Sequence, residues 1–321
     1  MRFLVTGGFG FIGSHLVEGL LEAGHRVRVL DDFSTAQPRN IRRVEQHTDL
    51  ICGDVRDPDV CNRAVSDCDG VFHLAALVSV PQSITRPTDC HAINTTGTLN
   101  LLEAMRRCAV SRIVFASSAA VYNTGDHLPK LESMLPAPVS PYGVSKLASE
   151  HYLQSYAALH GMTGVALRFF NVYGPGQDPR SVYSGVISKF TELALKQERL
   201  KLFGDGSQTR DFIHVIDVVR ANLAAMQARI PGGFTSVNIG TGRATSLLEL
   251  IETLGVGLQQ EVSFERLPAR RGDVAHSFAD VARMQKILGV SARISLLEGL
   301  ESLLHLDAND ELLEEYNDQA K

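Results

Sequence analysis

Tyr142 and Lys146 stand four residues apart in Tyr142-Gly-Val-Ser-Lys146. On a helix this spacing stacks both side chains on one face, one turn apart. Ser140-Pro141 just ahead reads as a helix start, with Ser at the cap and Pro in the first turn. The chemistry that uses such a pair is proton transfer at an alcohol or sugar hydroxyl. A free tyrosine, with a pKa of about 10, is a poor base at neutral pH. An ammonium one turn away favours the phenolate and is expected to draw that pKa toward the operating range. Alone, the pair also fits the surface of an ordinary amphipathic helix, so its meaning depends on the elements that position it.

Those elements begin at the N-terminus. Residues 2–6 form a short apolar run, read as a buried parallel strand. Gly7-Gly8-Phe9-Gly10-Phe11-Ile12-Gly13 follows and opens a helix that runs to about Gly24. Gly7, Gly10 and Gly13 allow a tight turn and a close helix–strand contact, and the helix start at Phe11 and Ile12 faces a pyrophosphate. A second strand, Arg26–Leu30, ends at Asp31, 18 residues after Gly13. That is the place of the acid that binds the adenosine ribose, and an acid there repels a 2′-phosphate, so NAD is expected over NADP.

The alternation continues. Strands are expected at Leu50–Cys52, before Gly53-Asp54-Val55, a turn placed to touch adenine, and at Val71–Leu74, before the small pair Ala75-Ala76. A helix from about Thr88 to Arg107 carries Asn94, and a strand at Ile113–Phe115 leads to Ser117-Ser118. A strand over Gly164–Phe170 ends at Asn171, and helices are expected at about Tyr183–Lys196 and Val215–Ala228, with a turn at Phe203–Gly206 and a strand at Val237–Gly240. Repeated βα units imply a doubly wound parallel sheet with ligands at the strand carboxyl ends, so Ser118 and Tyr142 are expected to face one crevice. The predicted fold is therefore α/β, a Rossmann-type sheet with a smaller C-terminal mixed lobe. Residues 1–170 with about 210–240 make the dinucleotide domain, 171–209 with 241–305 the substrate lobe, and 306–321 an acidic tail.

Bulk properties narrow the function. The chain has 321 residues, 44% apolar and 21% charged, ordinary for a globular protein with a sizeable core. A net charge of −5 with no long basic run argues against nucleic acid. Five cysteines without a C-x-x-C argue for reduced thiols in the cytoplasm and against a metal site. No apolar stretch reaches membrane-spanning length, so no membrane partner is expected.

The ordered set Thr6-Gly-Gly-Phe-Gly-Phe-Ile-Gly13, Asp31-Asp32, Gly53-Asp54-Val55, His73-Leu74-Ala75-Ala76, Ser117-Ser118, Tyr142-x-x-x-Lys146, Arg168-Phe-Phe-Asn171 and Arg210-Asp-Phe-Ile-His214 resembles the extended short-chain dehydrogenases/reductases, specifically nucleotide-sugar epimerases and dehydratases. The resemblance covers about residues 1–305. It implies Tyr142 as catalytic base, Lys146 tuning it and holding the nicotinamide ribose, and Ser118 completing the triad. It places Asp32 with Asp31 at the adenosine end, and Asn94, Phe169 and Phe170 around the nicotinamide. It implies substrate contacts from Asn171, Val186, Phe203, Arg210, Arg270 and Asp273, the two arginines clamping a diphosphate. A homodimer built on the helices near 88–107 and 141–161 is also implied. Ser277 matches a site where related UDP-glucose epimerases carry Tyr, and a small residue there resembles members acting on UDP-N-acetylhexosamines. Gln177-Asp178-Pro179 and Tyr183–Val186 resemble the same branch.

Family members share an initial oxidation at sugar C4 and differ afterwards. The 4,6-dehydratases carry Thr-Asp-Glu where this chain has Ser118-Ala119-Ala120, so their acid and base are missing. Epimerases commonly carry Thr or Ser at Ala120 and Gly at Asn123. C4 epimerisation is the first expectation. A UDP-GlcNAc 5,6-dehydration, resembling tunicamycin-type pathways, is the second, and an NAD-binding scaffold without turnover is the third.

Overall fold

The computed structural model describes residues 1–122, 125, 127–178, 185–269 and 274–304. Arg270, Asp273, Asn123, Pro179 and Tyr183 lie outside them, as does the acidic tail.

Seven parallel strands form the central sheet: β1 Arg2–Thr6, β2 Arg26–Asp31, β3 Thr48–Cys52, β4 Gly70–His73, β5 Arg112–Ser118, β6 Thr163–Phe169 and, later in the chain, β11 Phe234–Ile239. Their order is β11-β6-β5-β4-β1-β2-β3. The order reverses between β1 and β4, and a crevice opens at such a switch point, at the strand carboxyl ends. β1, β4 and β6 are buried nearly throughout, as strands covered on both faces must be.

Helices α1 Phe11–Glu22, α2 Pro38–Val44, α3 Pro58–Val65, α4 Val80–Thr85, α5 Pro87–Cys90, α6 Gly97–Arg107 and α7 Pro141–His160 connect the first six strands. α1 packs with α9 Val215–Gln227 on one face of the sheet, while α3, α6 and α7 cover the other. The expected helix over 88–107 is interrupted: residues His91–Thr96 form a π-helical turn between α5 and α6. Wide turns of this kind gather at functional positions.

The smaller lobe holds β7 Asn171–Tyr173, α8 Val186–Leu195, β8 Leu200–Phe203, β9 Thr209–Arg210, β10 Phe212–His214, β12 Thr245–Ser246, α10 Leu247–Leu258 and β13 Phe264–Leu267. Its core gathers Phe190, Leu200, Leu202, Leu250, Leu254 and Leu300. α8 begins at Val186, later than the expected Tyr183.

Asp211, fully buried, fastens this lobe to the sheet. It accepts N–H groups from Thr241 (2.7 Å), Gly242 (3.0 Å) and Ala279 (3.1 Å) and the Thr241 hydroxyl (2.7 Å). One carboxylate thereby fixes the exit of β11 and the segment behind Ser277.

Candidate active site

Four segments converge on a cavity of about 420 Å3 at the switch point, lined by Gly7, Asp31, Asp32, Asp54, Val55 and Ala75 among others. Local sequence dictates its walls. Gly7 has φ +68, and a Cβ there would stand 2.8 Å from the Ala75 nitrogen. A Cβ on Gly13 would stand 2.0 Å from the Gly7 carbonyl oxygen, so the loop closes only on glycine. Gly10 caps α1 without a side-chain hydrogen bond, leaving the helix start at Phe11 and Ile12 to meet an anion with backbone N–H groups.

Asp31 is 8% exposed at the end of β2. Its two oxygens accept N–H groups from Phe9 (2.9 Å) and Phe33 (2.8 Å), tying the glycine loop to the second strand. Burial raises its pKa, offset in part by those two bonds. Asp32 is exposed beside it and accepts from the Ser34 hydroxyl (2.6 Å). Two carboxylates on one wall suit ribose hydroxyls and oppose a 2′-phosphate. Asp54 lines the cavity while paired with Arg56. Ala76, and the unforeseen Ser34, Thr35, Gln82 and Arg86, line it too. The cradle thus fits a dinucleotide by shape and charge.

A directed hydrogen-bond chain lies beneath it. Thr6 Oγ1 accepts N–H groups from Leu74 (3.2 Å) and Ala75 (3.1 Å), so its own proton faces His73 Nδ1 at 2.7 Å. His73 Nε2–H then donates to Thr98 Oγ1 (2.9 Å), which donates to the Asn94 carbonyl. Burial, and secondarily Lys146, push the His73 pKa down to about 3, so the ring stays neutral and keeps that tautomer.

Asn94, 2% exposed in the π turn, is fully engaged. Its Oδ1 accepts from Leu77 N (2.8 Å), and its Nδ2 donates to Leu77 O (3.0 Å) and Ser145 Oγ (2.9 Å). It joins the wall after β4 to α7 through the π turn. Of the other two expected nicotinamide neighbours, Phe169 packs into the core on the α1 face and Phe170 packs with Val121, Tyr122 and Ala279.

Ser118 ends β5, and its hydroxyl accepts from Ala120 N at 3.1 Å. α7 starts as the sequence predicts, with the Ser140 hydroxyl capping Gly143 N and Pro141 in the first turn. The helix can approach because residue 143 is glycine: a Cβ there would stand 2.3 Å from Ala120 O. Tyr142 is thereby brought beside Ser118, whose hydroxyl favours the phenolate. Lys146, 2% exposed, donates to Ala116 O (2.7 Å) and sits 5.8 Å from the Tyr142 ring centre.

The expected tuning is corrected here. Burial pushes the Tyr142 pKa up to about 12, against a lowering contribution from Ser118. Burial also pulls Lys146 down to about 8. The lysine is directed at a backbone carbonyl, and burial is the largest influence on the phenol.

Below the triad, Arg168 makes a bidentate pair with Glu150 (2.7 and 3.0 Å) and donates to Tyr122 Oη (3.0 Å). Glu150 also accepts from Ser117, next to Ser118.

On the lobe side, Asn171 lies at the β7 start, its N–H bonded to Asp211 O. Ser277 N donates to Thr209 O (3.1 Å), and Arg210 donates to Thr209 O (2.9 Å), which brings Arg210 and Ser277 to one edge. Phe203 ends β8, its carbonyl accepting from Gln208 (2.7 Å). Among the described residues no His, Cys, Asp or Glu cluster could hold a metal, and no helix is long and apolar enough to cross a membrane. All five cysteines are unpaired.

Comparison with known proteins agrees with this geometry. The profile of the NAD dependent epimerase/dehydratase family matches residues 3–240. A UDP-glucose 4-epimerase of Mycolicibacterium smegmatis is 38% identical, over 96% of this chain and 99% of its own. The UDP-glucose 4-epimerase of Thermotoga maritima, solved with UDP-glucose, has a TM-score of 0.89 at 35% identity, covering 97% of this chain and 99% of that one. A UDP-N-acetylglucosamine 4-epimerase from Methanobrevibacter ruminantium, solved with UDP-N-acetylmuramic acid, has a TM-score of 0.90 at 33% identity, covering 96% and 98%. The chain belongs to the NAD-dependent epimerase/dehydratase family, and its cofactor is NAD.

Proposed function

We propose that the protein interconverts C4 epimers of a UDP-hexose, with UDP-N-acetylhexosamines accepted as substrates. The observation that carries the reading is the Ser118–Tyr142–Lys146 group, assembled at the end of β5 on the crevice side of the sheet. Bound in the crevice, NAD supplies the hydride acceptor and donor at the sugar carbon. The rest falls to the chain. Ser118 holds the sugar O4 and Tyr142 takes its proton, then returns it after the keto-sugar has turned. A tyrosine held near 12 needs help as a base. A Lys146 near 8 stays largely cationic at neutral pH and supplies the nearby charge. Gly7, Gly10, Phe11, Ile12 and Gly13 hold the pyrophosphate, and Asp31 and Asp32 the adenosine ribose. Arg210, with Arg270, would neutralise the substrate diphosphate.

Two features support epimerisation over elimination and the amino sugar as a substrate. Ala119 and Ala120 follow Ser118 and offer neither acid nor base for removing water from C6. Ser277 is small, which leaves room for a 2-acetamido group beside the Thr209–Arg210 edge. The relatives bearing UDP-glucose names make the bare hexose the competing substrate. The experiment is a comparison of kcat/KM for UDP-GlcNAc and UDP-Glc in wild type and Ser277→Tyr. Selective loss of the UDP-GlcNAc reaction supports the reading, and equal losses on both sugars refute it.

The assembly is proposed as a homodimer. Val144, Tyr152 and Leu159 are 53%, 37% and 73% exposed at helical spacing along α7. Such a stripe is covered in a stable protein, and a second copy of α7 complements it. Sedimentation of wild type against Leu159→Glu decides: a monomeric wild type would refute the dimer.

A further inference from the structure

The loop after β7 carries Gly174-Pro175-Gly176-Gln177-Asp178 toward α8. It belongs to the smaller lobe, yet among the described residues side chains of α1 and of α2 and its cap grip it from the dinucleotide half. His15 Nε2 lies 2.6 Å from Pro175 O, which can only accept, so that nitrogen carries the proton. Nδ1 is then the acceptor for Arg43, 3.0 Å away. Burial, more than the neighbouring cations, keeps this imidazole neutral and the tautomer fixed. Asn40, 2% exposed, donates to Gly176 O at 3.1 Å. Gly176 has φ +90, and a Cβ there would stand 2.7 Å from Asn40 Oδ1, so loop and helix are fitted to each other. Gln37 donates to Asp178 (3.2 Å). Gln37, Asn40 and Arg43 are three residues apart and share one face of α2. The grip continues into the lobe: Ser188 of α8 donates to Gln177 Oε1.

The same helix follows directly on the cofactor cavity. Asp31, Asp32, Ser34 and Thr35 line that cavity, and α2 starts at Pro38. One short segment therefore touches the cofactor cavity and the loop that leads toward α8.

We infer that His15 and Asn40 are positioning residues for the sugar nucleotide: they clasp the 174–178 loop to the dinucleotide half and so set where Asn171 and α8 stand around the substrate. The clasp touches neither reacting atoms nor the triad. It rests on the substrate reading above only for the identity of what is bound.

Two measurements test it on the purified holoenzyme. In the first, steady-state kinetics with UDP-GlcNAc and UDP-Glc are recorded for His15→Ala, Asn40→Ala and His15→Gln. Loss of one buried hydrogen bond of this kind is expected to raise KM about tenfold, with kcat kept within about threefold and NAD content unchanged. A glutamine amide can donate to Pro175 O and accept from Arg43, so His15→Gln should return KM to within about threefold of wild type. An unchanged KM, a parallel loss of NAD, or a glutamine no better than alanine overturns the clasp. In the second, amide hydrogen exchange needs no substrate. Exchange should quicken at 174–178 and across Val186–Leu195 in the alanine variants while β1 and β2 stay protected. Uniform quickening, or none, overturns the inference. A wild type that turns over no UDP-sugar defeats the proposed function and leaves the clasp to the exchange result.

Discussion

Two buried carboxylates, Asp31 closing β2 and Asp211 between β9 and β10, do opposite things. Asp31, in the dinucleotide half, accepts two backbone N–H groups and lines a cavity. A carboxylate has about four acceptor sites, so half of Asp31's remain for a ligand. Asp211, in the smaller lobe, accepts four donors from Thr241, Gly242 and Ala279 and is saturated. Burial raises the pKa of both. The difference teaches how each half is built. Backbone and glycine geometry shape the first, with a carboxylate left over for binding. Among the described residues the second is built from two-stranded pairs, and one satisfied anion fastens it beside β11.

The sharpest break in that comparison is Gly13→Ala. A Cβ at 2.0 Å from the Gly7 oxygen cannot be absorbed by a flexible side chain. NAD affinity should fall by at least about a hundredfold, measured by titration, while the lobe keeps its fold. Asp211→Asn comes next. An amide would turn N–H groups toward donors it cannot accept, costing about 3 kcal/mol in denaturant unfolding and raising the KM for the sugar nucleotide. A loss under about 1 kcal/mol would show that the lobe does not hang from this residue.

A pH effect follows at His15. Its pKa is 6.5 in the unfolded chain and about 4 in the fold. Between those values the unfolded state binds more protons, so stability falls as pH falls through that window. The loss should total about 3 kcal/mol and vanish in His15→Gln, seen by unfolding at stepped pH. His73, held near 3, adds a slope of the same sign that persists in the variant. The smallest effect is Asp31→Asn, whose fold should lose about 1 kcal/mol while its NAD affinity drops about tenfold. Equal stability losses at Asp31 and Asp211 would erase the comparison.

The same contrast explains what the sequence made legible. The glycine loop, Asp31, the Ser140-Pro141 helix start and the Tyr142–Lys146 pair are local patterns, and the structure builds each within a few residues of its expected place. The short helices α2, α3 and α4 were too brief for periodicity. Yet Asp57-Pro58 and Ser79-Val80-Pro81 carry cap-and-proline signals that mark two of them. The partners of His15, Arg168 and Asp211 lay hidden for another reason. The contact from His15 to Pro175 spans 160 residues and that from Asp211 to Ala279 spans 68, distances no local pattern reports. The Tyr142 pKa escaped for another reason: helical spacing found the lysine, but only the burial of the phenol sets the direction of its shift.

The most direct test of the whole account is proton NMR of the purified enzyme with UDP-GlcNAc in deuterated water, with Tyr142→Phe alongside. The account predicts UDP-GalNAc signals with the C5 proton retained, and at least about a thousandfold slower turnover in Tyr142→Phe with NAD still bound. Vinyl signals with loss of the C6 hydroxyl would mean 5,6-elimination and contradict epimerisation. Full turnover in Tyr142→Phe would remove the base on which the mechanism stands.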